Sequence, residues 1–160
     1  MKFNPNKKSI QRLWTFLDKI SRRKSIDLED KVNEIHNEVF SRTDCLSCAN
    51  CCKNYSPIIK KRDLTRMSKH FRISEKQFYV KHLKTDSDGD FVFQLSPCPF
   101  LLVDNRCSIY EIRPDACRDY PHTDGTDFRK RIPLTKKNTA VCPAVFEIIS
   151  KLEQELEGQF

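Results

Sequence analysis

The sequence predicts an α+β fold: a mainly helical small single domain with one short β-hairpin and cysteine-rich metal-binding loops. Three observations carry this. Apolar residues recur at helical spacing in several segments. Phe91, Phe93 and Leu95 alternate with Val92 and Gln94 as in a strand. Eight cysteines, four of them within eight residues, stand in a chain whose 38% hydrophobic content builds only a modest core, so a metal can staple it. At 160 residues one domain is the prior.

Ser9 is placed to cap a first helix. Ile10, Leu13, Trp14, Leu17 and Ile20 then form its apolar stripe, with Lys7, Lys8, Arg12, Lys19 and Arg22 elsewhere around it. Residues 1–24 are therefore read as a basic amphipathic N-terminal helix ending at the linker Arg22-Arg23-Lys24, and residues 25–160 as the cysteine-cluster metal-binding domain. The stripe packs on its own domain, or is offered to a protein partner or a membrane surface. Asp27 begins a second helix with Leu28, Val32, Ile35, Val39 and Phe40 inward and His36 at the boundary. Residues 54–57 break the chain. A helix over residues 63–71 turns Leu64, Met67 and Phe71 inward, and Ser74 and Gln77 form a capping box for the next, with Ile73 and Phe78 as its staple. That helix runs to Lys84. His70 and His82 sit on these two helices at surface or half-buried positions.

Residues 86–90 lack the glycine and glutamate of a calcium loop and read as a turn. The hairpin is expected between residues 100–103 and 106–110, across Asp104-Asn105, where asparagine tolerates the left-handed conformation. Pro114 suits the first turn of a short helix carrying Cys117. Residues 123–139 read as polar and irregular. Pro143 opens a last helix with Val145, Ile148, Ile149, Leu152 and Leu156 inward, and Cys142 stands at its N-terminal boundary, where the helix dipole favours thiolate.

The net charge of +7 is unevenly spread. Residues 1–24 carry eight basic and one acidic residue, and residues 42–84 carry eleven and three, so the first cysteines lie in a basic segment that offsets thiolate charge. Nucleic acid is not expected as a partner, because no aromatics interleave the basic residues and no docking motif is present. The N-terminus lacks the apolar stretch of a secretory signal, and no run is apolar enough to span a membrane. The reading is cytoplasmic, with reduced cysteines available to a metal.

Cys45, Cys48, Cys51 and Cys52 follow the pattern C-x2-C-x2-C-C. On a continuous helix Cys45, Cys48 and Cys52 would share one side while Cys51 turned away, and the adjacent pair is expected to diverge. Crowded thiolates repel unless a cation sits among them. Cys98, Cys107, Cys117 and Cys142 are dispersed, each in a constrained setting: two precede prolines, one lies on a hairpin arm and one on a short helix. All eight are the candidate metal ligands, expected to lie close in space around zinc or iron. His122 is read as an outer partner. Arg113 and Arg118 either balance thiolate charge or pair with Glu111, Asp115 or Asp119.

Cys45 to Cys52, Cys98-Pro99-Phe100-Leu101, Cys107-Ser108-Ile109-Tyr110, Arg113-Pro114, Cys117-Arg118, Tyr120-Pro121 and Cys142-Pro143 together resemble the YkgJ-type cysteine cluster family, the CxxCxxCC zinc- or iron-chelating domain proteins, over residues 40–150. The resemblance implies metal chelation by the eight cysteines. Flagellin lysine methylases carry a similar cluster, which adds a metal-dependent redox or methyl-transfer enzyme as an alternative, beside a nucleic-acid-binding zinc module. Spacing alone leans slightly towards an iron–sulfur cluster over zinc, since ferredoxins use C-x2-C-x2-C with a remote Cys-Pro. The chain has no P-loop, no dinucleotide fingerprint and no H-E-x-x-H, and three glycines are too few for a phosphate cradle, so the reading leans away from an enzyme.

Overall fold

Asn6, rather than Ser9, starts the first helix. Its backbone is extended and its Oδ1 accepts from the Ser9 N–H at 2.8 Å, so helix α1 spans Lys7–Ser21. The computed structural model describes residues 3–23 and 27–158. Lys24 of the expected linker, and the boundary between residues 24 and 25, lie outside the described residues.

The described residues within Met1–Asp44 and Pro121–Phe160 form one compact unit, and Cys45–Tyr120 forms another. In the first, α1 buries Leu13, Leu17 and Ile20, so its apolar stripe packs on its own unit. Helix α2, Leu28–Phe40, begins after Asp27 as expected and buries Leu28, Val32, Ile35 and Val39. Phe40 is only half-buried and stacks on His36 with ring centroids 4.4 Å apart.

Residues 123–139 are not irregular throughout: helix α8 spans Phe128–Thr139. Pro133 inside it reads as a breaker and costs about 3 kcal/mol. Phe128 and Ile132, one turn apart, are buried in the same core, and each contributes about 1.5–3 kcal/mol. That burial outweighs the proline, whose ring lies at an exposed position. Helix α9, Pro143–Glu155, has Pro143 in its first turn and Cys142 as its N-cap residue. Its inner face is the expected one, with Val145, Ile148, Ile149, Leu152 and the capping Leu156 all at 0% exposure. Trp14 joins α1 to α8 through its indole N–H, which donates to Lys136 O at 2.9 Å and Thr139 Oγ1 at 3.0 Å.

His36 sets a pH limit on this unit. Its Nδ1 lies 2.8 Å from the Oγ1 of the fully buried Thr123. Burial pulls the imidazole below its ordinary value, against a smaller upward pull from Asp124. The fold therefore favours neutral His36. Its contribution is full above the unfolded value of 6.5 and is lost as pH falls below it. His36→Gln is expected to flatten the fall in melting temperature between about pH 7 and pH 5, relative to the parent chain.

In the second unit helix α5 spans Lys61–His70 and α6 spans Glu75–His82. The Ser74 capping box forms as expected: the Gln77 N–H donates to Ser74 Oγ at 3.2 Å, and Gln77 Oε1 accepts from the Ser74 N–H at 2.9 Å. Helix α6 stops before Lys84, because Gln94 Nε2 donates to the carbonyls of Val80 and Leu83 and closes its end. Strand β1, Leu83–Thr85, pairs antiparallel with β2, Phe91–Phe93, with Leu83 opposite Phe93 and Thr85 opposite Phe91. The connecting turn is held by Asp86 Oδ1, which accepts from the N–H groups of Asp88 and Asp90.

The hairpin is thus not where spacing put it. Residues 100–110 keep only one bridge, Leu101 to Cys107, although Asn105 is left-handed at φ 65° as expected. The second arm bends away because the Tyr110 N–H donates locally to Cys107 O at 3.3 Å, leading into a 3-10 turn over Tyr110–Ile112. The core of this unit is Ile59, Leu64, Met67, Phe78, Leu83, Phe93, Phe100 and Ile109. Phe71, expected inside, sits at the end of α5 at 37% exposure and stacks on Phe100. Among the described residues no helix is long and apolar enough to cross a membrane.

Candidate metal centre

The first four cysteines do not lie on one continuous helix. Helix α3 is Cys45–Cys48, α4 is Asn50–Asn54, and Ala49 between them is left-handed at φ 47° and ψ 24°. An alanine there is strained, yet it is held by burial to 6% exposure. The turn is tied on both sides: the Lys53 ammonium donates to Cys48 O at 2.9 Å, and Asn105 Nδ2 donates to Leu46 O at 2.8 Å. The second tie joins the cysteine knuckle to the Asp104-Asn105 turn, 59 residues further along the chain.

Adjacent Cys51 and Cys52 were expected to diverge, but their sulfurs face each other at 3.9 Å. The Cys51 contact pulls the Cys52 thiol down to about 7; burial opposes this and Lys53 adds to it.

Three of the four dispersed cysteines, Cys98, Cys107 and Cys117, lie in the same unit as the first run. The Cys98 N–H donates to Cys52 O at 2.8 Å, so Cys98-Pro99 packs directly on α4. Cys107 is brought beside it by the Leu101 bridge, and Leu101 in turn donates its N–H to Cys98 O. Cys117 lies on α7, Asp115–Arg118, with Pro114 as N-cap rather than first-turn residue. Burial pushes the Cys117 thiol up to about 12, and the charges of Cys52, Cys98 and Cys107 push with it, while Arg113 opposes. Burial first, then Cys52 and Cys107, raise Cys98 to about 11 against the N–H groups of Phe100 and Leu101. Cys107 is raised by burial and by Cys52. Four thiols, Cys52, Cys98, Cys107 and Cys117, thus lie within electrostatic reach of one another.

No disulfide joins any of the eight cysteines. Cys45 and Cys48 stand on α3, before the Ala49 turn, and Cys142 belongs to the helical unit, where it packs against that core. His122 is in the helical unit too, and its Nδ1 accepts from Arg131 at 2.9 Å. Arg113 stacks 3.8 Å over the Tyr110 ring, and its charge opposes the upward push of burial on the Cys107 and Cys117 thiols. Among the described residues no three Cys, His, Asp or Glu side chains stand at metal-binding spacing. The donor set fits a thiophilic metal: soft sulfur only, and protons whose loss burial and mutual repulsion oppose until a cation compensates.

Asp63 and Arg66 were passed over in the sequence. Asp63 is fully buried and joins α5 to the chain leading to Cys117. Its signal was a carboxylate in the first turn of a helix with an arginine three residues on.

A family model, CxxCxxCC, described as "Putative zinc- or iron-chelating domain", matches residues 44–143, more than half of the chain. No curated protein and no solved structure matches it.

Proposed function

The chain belongs to the CxxCxxCC family of zinc- or iron-chelating domains, and on that premise we propose that Cys52, Cys98, Cys107 and Cys117 together hold one metal through four thiolates. The observation that carries this is the convergence of the Cys98 and Cys107 segments on α4, seen in the Cys98–Cys52 backbone bond and the Leu101–Cys107 bridge, with the Cys117 thiol pushed up by charge at Cys52, Cys98 and Cys107. Loading must drive protons off Cys98 and Cys117, so it releases acid. Cys45, Cys48 and Cys51 are the ligands left in the same unit for a second metal, and Cys142 is the eighth candidate. The cysteine state this requires is that of a reducing, cytoplasmic compartment.

A closed four-sulfur shell built from separate loops suits a structural zinc site. The C-x2-C-x2-C spacing of Cys45, Cys48 and Cys51 supports an iron–sulfur cluster as the second reading. Protein purified without oxygen distinguishes them. Zinc leaves it colourless, with zinc by elemental analysis; an iron–sulfur cluster makes it brown, with broad visible absorption that bleaches on reduction. Anaerobic protein that takes up neither metal at stoichiometric level, with all eight thiols free, would defeat both readings.

A further inference from the structure

A charge cluster built on one buried carboxylate holds the loop between Cys107 and Cys117. Asp63, in the first turn of α5, has 0% exposure. Its Oδ2 accepts from the Lys60 N–H at 3.0 Å, and its Oδ1 accepts from Arg66 Nη2 at 2.7 Å and from the Asp115 N–H at 3.2 Å. Asp115 opens α7, so one carboxylate of α5 caps the helix that carries Cys117. Arg66 takes the other side of the same corner: Nη2 donates to Arg113 O at 2.8 Å and Nε to Ile112 O at 3.4 Å. Nη2 also reaches Asp115 Oδ1 at 3.4 Å, and Arg62 pairs with Asp115 from outside. Pro114, between the two clamped residues, has no N–H to satisfy and a fixed φ.

We propose that Asp63 and Arg66 are positioning residues for the thiolate site, fixing the Arg113-Pro114 corner so that Cys107 and Cys117 stand where both reach one metal. The inference rests on the four-thiolate reading above. A carboxylate and a guanidinium in this position give direction as well as attachment. An apolar pair of equal volume would hold α5 to the loop without the cost of burying charge, but it would not set where the loop backbone lies. Here the clamp bonds the backbone of Ile112, Arg113 and Asp115, on both sides of the corner. Groups that orient ligands in this way carry about tenfold to a hundredfold in metal affinity.

Cobalt(II) is the probe, since tetrahedral thiolate binding gives it an intense charge-transfer band that scales with the number of sulfurs bound. The metal-free full chain, Arg66→Lys, Asp63→Asn and the exposed-pair control Glu75→Gln are each titrated without oxygen, with circular dichroism recording the fold. Arg66→Lys keeps the charge but loses the fork that reaches two carbonyls, and it carries the test if Asp63→Asn does not fold. The expected result is a folded Arg66→Lys chain with cobalt affinity lowered about tenfold to a hundredfold and less charge-transfer intensity per bound cobalt. Glu75→Gln should match the parent. In a Cys117→Ser background, Arg66→Lys should add little further loss, because the two act on the same ligand. A folded Arg66→Lys with parental affinity and spectrum would overturn the inference and leave the metal site standing. A parent chain with no thiolate–cobalt band would overturn the metal reading and the clamp with it.

Discussion

Stripping the metal from anaerobically purified protein is expected to unfold the Cys45–Tyr120 unit while Trp14 keeps its native fluorescence. The two units contain similar lengths of chain, but among the described residues the core cluster of the helical unit holds sixteen buried apolar side chains and that of the cysteine unit eight. The second has the smaller apolar driving force for nearly the same conformational entropy cost. A structural metal contributes about 10–16 kcal/mol in small metal domains, enough to decide whether such a unit folds. Trp14 is the only tryptophan, and it is hydrogen-bonded inside the helical unit, so its emission reports on that unit alone. Chelator titration followed by far-ultraviolet dichroism and tryptophan emission checks this. A cysteine unit that keeps its full dichroism and protease resistance without metal would contradict it.

Cys117→Ser and Cys52→Ser are expected to lose the metal of the four-sulfur site, while Cys142→Ser keeps it. Burial first, then charge at Cys52, Cys98 and Cys107, push the Cys117 thiol up, so a cation at the shared centre favours its thiolate. Losing a direct ligand should cost more than the tenfold to hundredfold, about, that outer partners cost. Cys142 is different. It caps α9 and packs against the helical core, and serine is a better helix cap than cysteine. Cys142→Ser should therefore hold or slightly raise the melting temperature of the helical unit. Metal content per chain and competition for zinc by a coloured chelator give the comparison. Full metal content in Cys117→Ser, with loss in Cys142→Ser, would assign the ligands the other way.

Local chemistry made much of the fold legible. The stripes of α1, α2 and α9, the Ser74–Gln77 box and the left-handed Asn105 depend on neighbours within a turn or two, and all are present. The misread segments are those where distant contacts won. In α8, burial of Phe128 and Ile132 overrode Pro133. The hairpin formed at Leu83–Thr85 and Phe91–Phe93, where Gln94 closes α6 and releases the chain into a strand.

The sequence by itself determined that this is a thiol-rich, mainly helical chain of a metal-chelating family, because the number, type and spacing of cysteines are covalent facts. Only the tertiary structure decided which thiols meet. It broke the first cysteine run at Ala49, turned Cys51 and Cys52 towards each other, and brought Cys98, Cys107 and Cys117 to α4 while Cys142 stayed in the helical unit. It also disclosed Asp63 and Arg66, which look like an ordinary helical pair in one dimension. The reason is physical: spacing along a chain constrains neighbours within a helical turn, whereas residues 46 positions apart, as Cys52 and Cys98 are, or 122, as Trp14 and Lys136 are, meet only where buried side chains and backbone hydrogen bonds hold separate segments together.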